Sequence, residues 1–277
     1  MKTVNKKTII NIITFIIVLS VTFFFILPLL WQYIGSFKSG IDIVKTPPVF
    51  IFKPSVQSWV ELQTYKQVIK NLRNSLIIVG VSIIINIILS IITGYSLARF
   101  KYKGRNVIGF LILILTMVPS VTLLIPIYTI MINLDLIGKH IAIIITYIVF
   151  ALPFSIWIMR SFFVELPIEI EEAALIDGCT RFGVLVKIVV PISKPGIFAT
   201  VVFSLMMLWG DFVFAGILGD KSSYTLPVIG AMTTGKFGAE WGQLAALTIV
   251  ISIPMLIFAL FTQKYLVQGL TMGAVKG

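Results

Sequence analysis

The chain has 277 residues, 58% of them hydrophobic and 12% charged, with 22 Lys+Arg against 11 Asp+Glu and a net charge of +11. A soluble domain of this length has too little interior to bury so much apolar surface, so the composition excludes a soluble protein and points to a polytopic membrane chain. A single cysteine, Cys179, excludes a disulfide within the chain, and a single histidine, His140, leaves no Cys/His metal cluster to build.

Six stretches reach the length of about 20 apolar residues that a helical span needs: 9–34, 74–98, 107–132, 141–163, 196–218 and 243–263. Each is expected to be a helix, because an open strand edge leaves backbone groups unpaired in lipid. The expected fold is therefore an all-α membrane protein of six transmembrane helices, forming one domain over 1–277. The first stretch follows Lys2, Lys6 and Lys7. It is far longer than a signal's apolar region, and no A-x-A-like site closes it, so it reads as a retained span.

Segment 35–73 opens with loop chemistry at Pro47, Pro48 and Pro54. Val56, Trp59, Val60, Gln63, Val68, Ile69 and Leu72 then recur at near-helical spacing, which predicts a surface helix on the outer leaflet. The short loop after the second span carries Arg99, Lys101, Lys103 and Arg105. Basic residues in short loops mark the cytoplasmic side. With both termini on that side, 13 Lys+Arg lie inside and 9 outside, so segment 35–73 reads as extracytoplasmic and segment 165–195 as cytoplasmic. Pro28, Pro119, Pro126, Pro153 and Pro254 fall in spans and predict bends, although proline is also simply commoner in membrane helices.

Between spans four and five lie five of the eleven acids: Glu165, Glu169, Glu171, Glu172 and Asp177. A membrane protein keeps such charge in water, where a soluble partner can meet it. Pro167 suits a first helical turn, and the glutamates that follow place negative charge at the positive end of a helix dipole. A short helix from about 168 to 177 is expected to stop at Gly178, which tolerates positive φ, with Thr180 capping a second helix toward Pro191. Ala173, Ala174 and Gly178 carry no bulk, so another protein's surface can come close to the backbone there. The competing reading is an amphipathic connector that packs only on its own bundle.

Glu172-Ala173-Ala174, three residues, Gly178, nine residues, Ile188, two residues and Pro191 form an ordered pattern that resembles the EAA loop of ABC-importer permease subunits. Val190 stands where that family usually has Leu. Trp209-Gly210-Asp211-Phe212, Thr225-Leu226-Pro227, Trp241-Gly242, Tyr265 to Gly277, Asn74-Ser75-Leu76 and Ala98-Arg99-Phe100 are similar to the carbohydrate-uptake branch, the maltose-permease G-type subunits. Gly210 and Asp211 vary from that branch, where Asn and Glu are common. The resemblance covers about residues 70–277.

The resemblance implies one permease subunit of an ATP-driven importer of sugars or oligosaccharides. Its loop would be a coupling helix that docks in a cleft of a cytoplasmic ATPase through Glu172, Ala173, Ala174, Asp177, Gly178, Ile188 and Pro191. It also implies a second homologous permease, two ATPase subunits and an extracytoplasmic solute-binding protein, in a cytoplasmic (inner) membrane. The chain has no GxxxxGK[ST] phosphate loop. It is accordingly not expected to be an enzyme or to hold a cofactor or metal, with ATP and Mg on the partner. Its other contacts would be sugar and lipid, with no nucleic acid. The last residues, Thr271 to Gly277, would suit a tail reaching the ATPase pair.

Asp211 reads as the one acid deep in a span, and an intramembrane ionisable residue is a functional candidate. It shares a stripe with Thr200, Ser204 and Met207; Ser82, Asn86, Ser90 and Thr93 form a second. Asn86, Ser204, Met207, Trp209 and Asp211 are the substrate-pathway candidates, since a hydroxyl-rich solute needs hydrogen-bond partners once stripped of water. Interhelical glue is the competing role for each. A self-sufficient ion-driven secondary transporter would call for inverted repeats and more intramembrane charge. A membrane-embedded enzyme would call for paired carboxylates or metal ligands, which His140 alone does not supply.

Overall fold

The computed structural model describes residues 6–64, 67–233 and 241–272, and every regular element among them is a helix. In chain order they are α1 (Lys6–Gly35), α2 (Gly40–Val44), α3 (Gln57–Thr64), α4 (Gln67–Arg99), α5 (Arg105–Leu115), α6 (Ser120–Asn133) and α7 (His140–Glu165). There follow α8 (Ile168–Ile176), α9 (Arg181–Ile192), α10 (Lys194–Trp209), α11 (Val213–Leu218), α12 (Leu226–Thr233) and α13 (Trp241–Met272). The last five residues of the tail, 273–277, lie outside the described residues, as do Lys2, Lys66 and Lys236.

Helices α1, α4, α7 and α13 are each long and apolar enough to cross a membrane, and the count rises to six if two bent pairs are each one span. The pairs are α5 with α6, bent by 95°, and α9 with α10, bent by 76°. Stretch 107–132 is thus sharply bent, beside the Pro119 that the sequence marks as a bend. Pro119 supplies no backbone donor and holds Val118 away from helical geometry, so α5 ends at Leu115 and the chain restarts at Ser120. Stretch 196–218 is broken as well: α10 stops at Trp209, and α11 begins only after Gly210-Asp211-Phe212.

Contacts divide the chain into two units, one of 1–66 with 232–253 and one of 67–231 with 254–277. In the second, α4 and α7 pair most extensively and α10 packs on both. Ile78 and Leu97 of α4 and Ile143, Tyr147, Met159 and Phe163 of α7 are buried in this packing. Gly94 marks the closest crossing: a Cβ there would lie 3.0 Å from the Arg160 backbone nitrogen and 3.1 Å from the Met159 Cβ.

In the first unit, none of the apolar span of α1 is buried within the chain. The stripe from Val56 to Leu72 is not wholly a surface face: Val56 and Val60 are exposed, but Val68 is buried. Lys38 is buried with its ammonium over the rings of Trp31 and Phe52, at 4.7 and 5.3 Å. The ring faces attract the ammonium through their quadrupole, and the Asp42 carboxylate adds a coulombic attraction. Gln57 and Gln243 each donate a side-chain hydrogen bond to Glu61, at 2.8 and 2.7 Å.

Overpacking a close crossing costs about 1–3 kcal/mol. Gly94→Val is therefore expected to lower the thermal unfolding midpoint of the detergent-solubilised protein by several degrees. Gly80→Val serves as the control, because a Cβ at Gly80 meets nothing within 4 Å. Equal midpoints for the two variants would contradict the tight α4–α7 crossing.

Candidate functional site

The acid-rich segment folds back on the end of α4. Arg99 closes α4, and its Nε donates to Glu171 Oε1 at 2.6 Å while its terminal nitrogen donates to the Leu166 carbonyl at 2.9 Å. Tyr95, one turn earlier, donates its hydroxyl to Glu171 Oε2 at 2.7 Å. The Arg99 and Glu171 side chains are only 9% and 8% exposed. Glu171 therefore corrects the expectation that all five acids of this segment sit in water: both its oxygens are spoken for inside the protein. A buried carboxylate persists as a charge when each oxygen has a strong donor.

Helix α8 starts after Pro167, whose extended backbone precedes the first turn. It ends in a Schellman turn: Cys179 N–H bonds to the Ala174 carbonyl at 3.0 Å and Gly178 N–H to that of Leu175 at 3.1 Å. Gly178 has φ +86°, and a Cβ there meets nothing within 4 Å, so the backbone angle and not crowding selects glycine. Thr180 caps α9 by accepting the Gly183 N–H at 3.1 Å. Inside α9, Leu185–Val189 widen to a π turn.

These bonds sort the pattern into two faces. Ala174 is buried with Tyr95, Met159, Phe163, Val184, Leu185 and Val189, and Ile188 and Cys179 pack against that cluster. Glu172, Ala173, Asp177, Gly178 and Pro191 are exposed. Of the seven candidate docking residues, Ala174 and Ile188 thus serve the chain's own core, which gives the connector reading its share of the pattern. Sequence reasoning missed the large apolar side chains on the outer face: Ile176 is 86% exposed and Phe182 72%. The available signal was their place on either side of the Gly178 stop.

At the other end of α4, the Asn74 amide donates to the Ser222 and Tyr224 carbonyls at 2.9 and 3.1 Å, and Ser75 Oγ accepts the Leu226 N–H at 2.8 Å. Asp220 tightens the same loop. Its carboxylate accepts the Ser222 N–H at 2.7 Å and hydroxyl at 2.6 Å and the Ser223 N–H at 3.1 Å, and these bonds, Ser222's foremost, hold its carboxyl below the usual range.

The pathway candidates do not converge on one route. Asn86 donates to Ser155 at 2.7 Å and to Ser204 at 2.8 Å, all three fully buried where α4, α7 and α10 meet. Trp209 is buried and Met207 is 41% exposed. Asp211 is not deep in a span: it follows the end of α10, accepts the Tyr147 hydroxyl at 3.0 Å, and takes the Ala215 N–H at 3.2 Å in the first turn of α11. Its role here is that of a helix cap. Among the described residues, no group of three His, Cys, Asp or Glu gathers where a metal ion could be held.

Residues 86–272 match the family model described as binding-protein-dependent transport system inner membrane component. The trehalose/maltose transport system permease protein MalG of Thermococcus litoralis is 32% identical over 260 residues, covering 90% of this chain and 91% of that protein. Among solved structures, a bacterial ABC transporter involved in the import of the acidic polysaccharide alginate has a chain that superposes with a TM-score of 0.76. The two are 20% identical, with 96% of this chain and 100% of that chain covered. The bacterial alginate ABC transporter in complex with an alginate pentasaccharide-bound periplasmic protein gives 0.66 at 17% identity, covering 92% and 94%.

Removing one partner of a buried ion pair strands the other charge and costs about 3–5 kcal/mol, whereas replacing both with apolar groups of like volume is often neutral. Glu171→Ala should therefore destabilise the protein far more than the double change Arg99→Met with Glu171→Leu, as read by thermal unfolding in detergent. A double variant no more stable than Glu171→Ala would show that the pair is not what holds α8.

Proposed function

This chain belongs to the binding-protein-dependent transport system inner membrane component family, and from that membership we propose how it works as an importer subunit. It is a multi-pass cell-membrane permease subunit of an ABC importer, and ATP hydrolysis belongs to a separate subunit. Its cargo is a sugar or oligosaccharide, in keeping with the cargo named for the trehalose/maltose and alginate systems. It would form half of the pathway with a second permease, receive cargo from an extracytoplasmic binding protein, and meet two ATPase subunits inside. ATP and Mg would be held by those subunits.

One observation carries the coupling role: Arg99 and Tyr95 fix Glu171 inward, which leaves Glu172, Ala173, Ile176, Asp177 and Gly178 outward on a short, well-capped helix. An apolar anchor flanked by acids and small residues suits a cleft in a soluble partner, since buried anchors ringed by polar groups dominate interface energy. In this reading α8 is the coupling helix, and Glu172 and Asp177 meet basic groups on the ATPase. Both chain termini lie on the same cytoplasmic side, as the basic loop 99–105 requires. The ion-driven carrier is not favoured, because its expected intramembrane acid, Asp211, is a helix cap.

Two variants test the coupling role in the complete assembly. Ile176→Glu should reduce co-purified ATPase roughly 30-fold, the effect of losing an anchor worth about 2 kcal/mol. Gly178→Asp keeps a residue type that tolerates the left-handed angle. It should leave the permease inserted while sugar uptake in proteoliposomes is lost relative to ATP hydrolysis. Wild-type uptake and ATPase retention in both variants would remove α8 from the coupling path, and ion-driven uptake by the isolated chain would restore the carrier.

A further inference from the structure

A second feature of the α4 end has no part in the coupling role. Where α4, α5 and α7 meet, a cavity of about 260 Å³ is lined by Arg105, Asn106, Phe110, Leu113, Trp157 and Arg160. Its chemistry is divided. Arg105 and Arg160 supply two guanidinium groups at one end, and Leu113 and Phe110, with Gly109 between the helices, make the rest apolar.

Neither arginine forms an ion pair with a carboxylate among the described residues. The ion pairs among the described residues are Lys45–Asp42, Arg99–Glu171 and Lys139–Asp135, so no carboxylate reaches Arg105 or Arg160. Arg105 donates only to the Phe100 carbonyl, at a long 3.3 Å. Arg160 sits over the Trp157 ring with its guanidinium carbon 4.9 Å from the ring centre, a contact that does not consume its donors. The Trp157 indole N–H is itself buried with no acceptor. Lys101 and Lys103 stand in the adjoining loop, so four cations gather here without an acid.

The occupant must bring negative charge and an apolar body. The exposed flank of α5 continues the apolar wall away from the arginines through Val107, Phe110, Leu111 and Ile114. We infer that this cavity binds the phosphodiester of an anionic glycerophospholipid, with Arg105 and Arg160 on the phosphate and an acyl chain along Phe110 and Leu113. Arginine forks match phosphate oxygens in pairs, and basic pockets between membrane helices recognise anionic headgroups. The lipid belongs to the leaflet on the side of α8, because loop 101–104 continues from the α4 end that holds Glu171.

Native mass spectrometry of the delipidated, complete transporter tests this with phosphatidylglycerol, phosphatidylcholine and inorganic phosphate as separate probes. Phosphatidylglycerol should bind with phosphatidylcholine failing to replace it, and inorganic phosphate should not displace it. Arg105→Gln with Arg160→Gln should weaken phosphatidylglycerol binding roughly 30-fold, as expected for two basic residues near an anionic surface. Gly109→Leu fills the apolar end and leaves both charges, and it should weaken binding comparably. Equal binding of the two lipids by the wild type overturns the inference, as does one-for-one displacement by phosphate, which would mark a free-anion site. Retention by Gly109→Leu reduces it to surface charge and overturns it too. Lipid binding is read without uptake or hydrolysis, so its failure is distinct from a failure of the coupling role.

Discussion

The buried pair of Arg99 and Glu171 is the constraint from which the geometry around α8 follows. Two charges taken out of water are costly unless their remaining hydrogen-bonding capacity is met. Here Tyr95 takes the second carboxylate oxygen and the Leu166 carbonyl takes a second guanidinium nitrogen. Because those partners lie on two elements, the pair fixes a position and not merely a contact: α8 must lie against the last two turns of α4. Its other face is then outward by helical periodicity, with Ala173 and Ile176 three residues apart on it.

The interior polar residues follow a different logic from the one their stripes suggest. The Asn86 amide nitrogen donates to Ser155 and Ser204 at a three-helix junction, where side chains of small volume let backbones approach, while the Asn86 Oδ1 is buried without a donor among the described residues. Asp211 spends its charge on a helix start. A pathway shared between two subunits would draw on side chains left outward, and Met206, Met207 and Phe212 are of that kind, at 67%, 41% and 51% exposure.

Much of this was legible in the sequence because it is local. Hydrophobic runs give the long helices, Gly178 gives the turn, and Thr180 gives a cap, each through neighbours a few residues away. The bends needed more than composition: an apolar count cannot see that Pro119 interrupts a continuous hydrophobic run. Least legible were contacts across distance in the chain. Arg99 and Glu171 are 72 positions apart, and no periodicity links them. Asn74-Ser75 and Thr225-Leu226-Pro227 stood out as separate fragments, yet they meet in one junction: Ser75 Oγ accepts the Leu226 N–H, and the Asn74 amide donates to the Ser222 and Tyr224 carbonyls just ahead of the second fragment.

That junction and the Arg99 pair occupy opposite ends of the same helix. Helices α1, α7 and α13 each contain a proline, whereas α4 has none along its 33 residues. At 1.5 Å per residue it is a strut of about 50 Å, with an unbroken hydrogen-bond ladder and a polar clamp at either tip. Bent helices absorb a push by flexing at the bend; a continuous helix with no proline break passes more of it on. A force applied to α8 would arrive at loop 219–226 as a displacement of the whole rod, with little lost to bending in between.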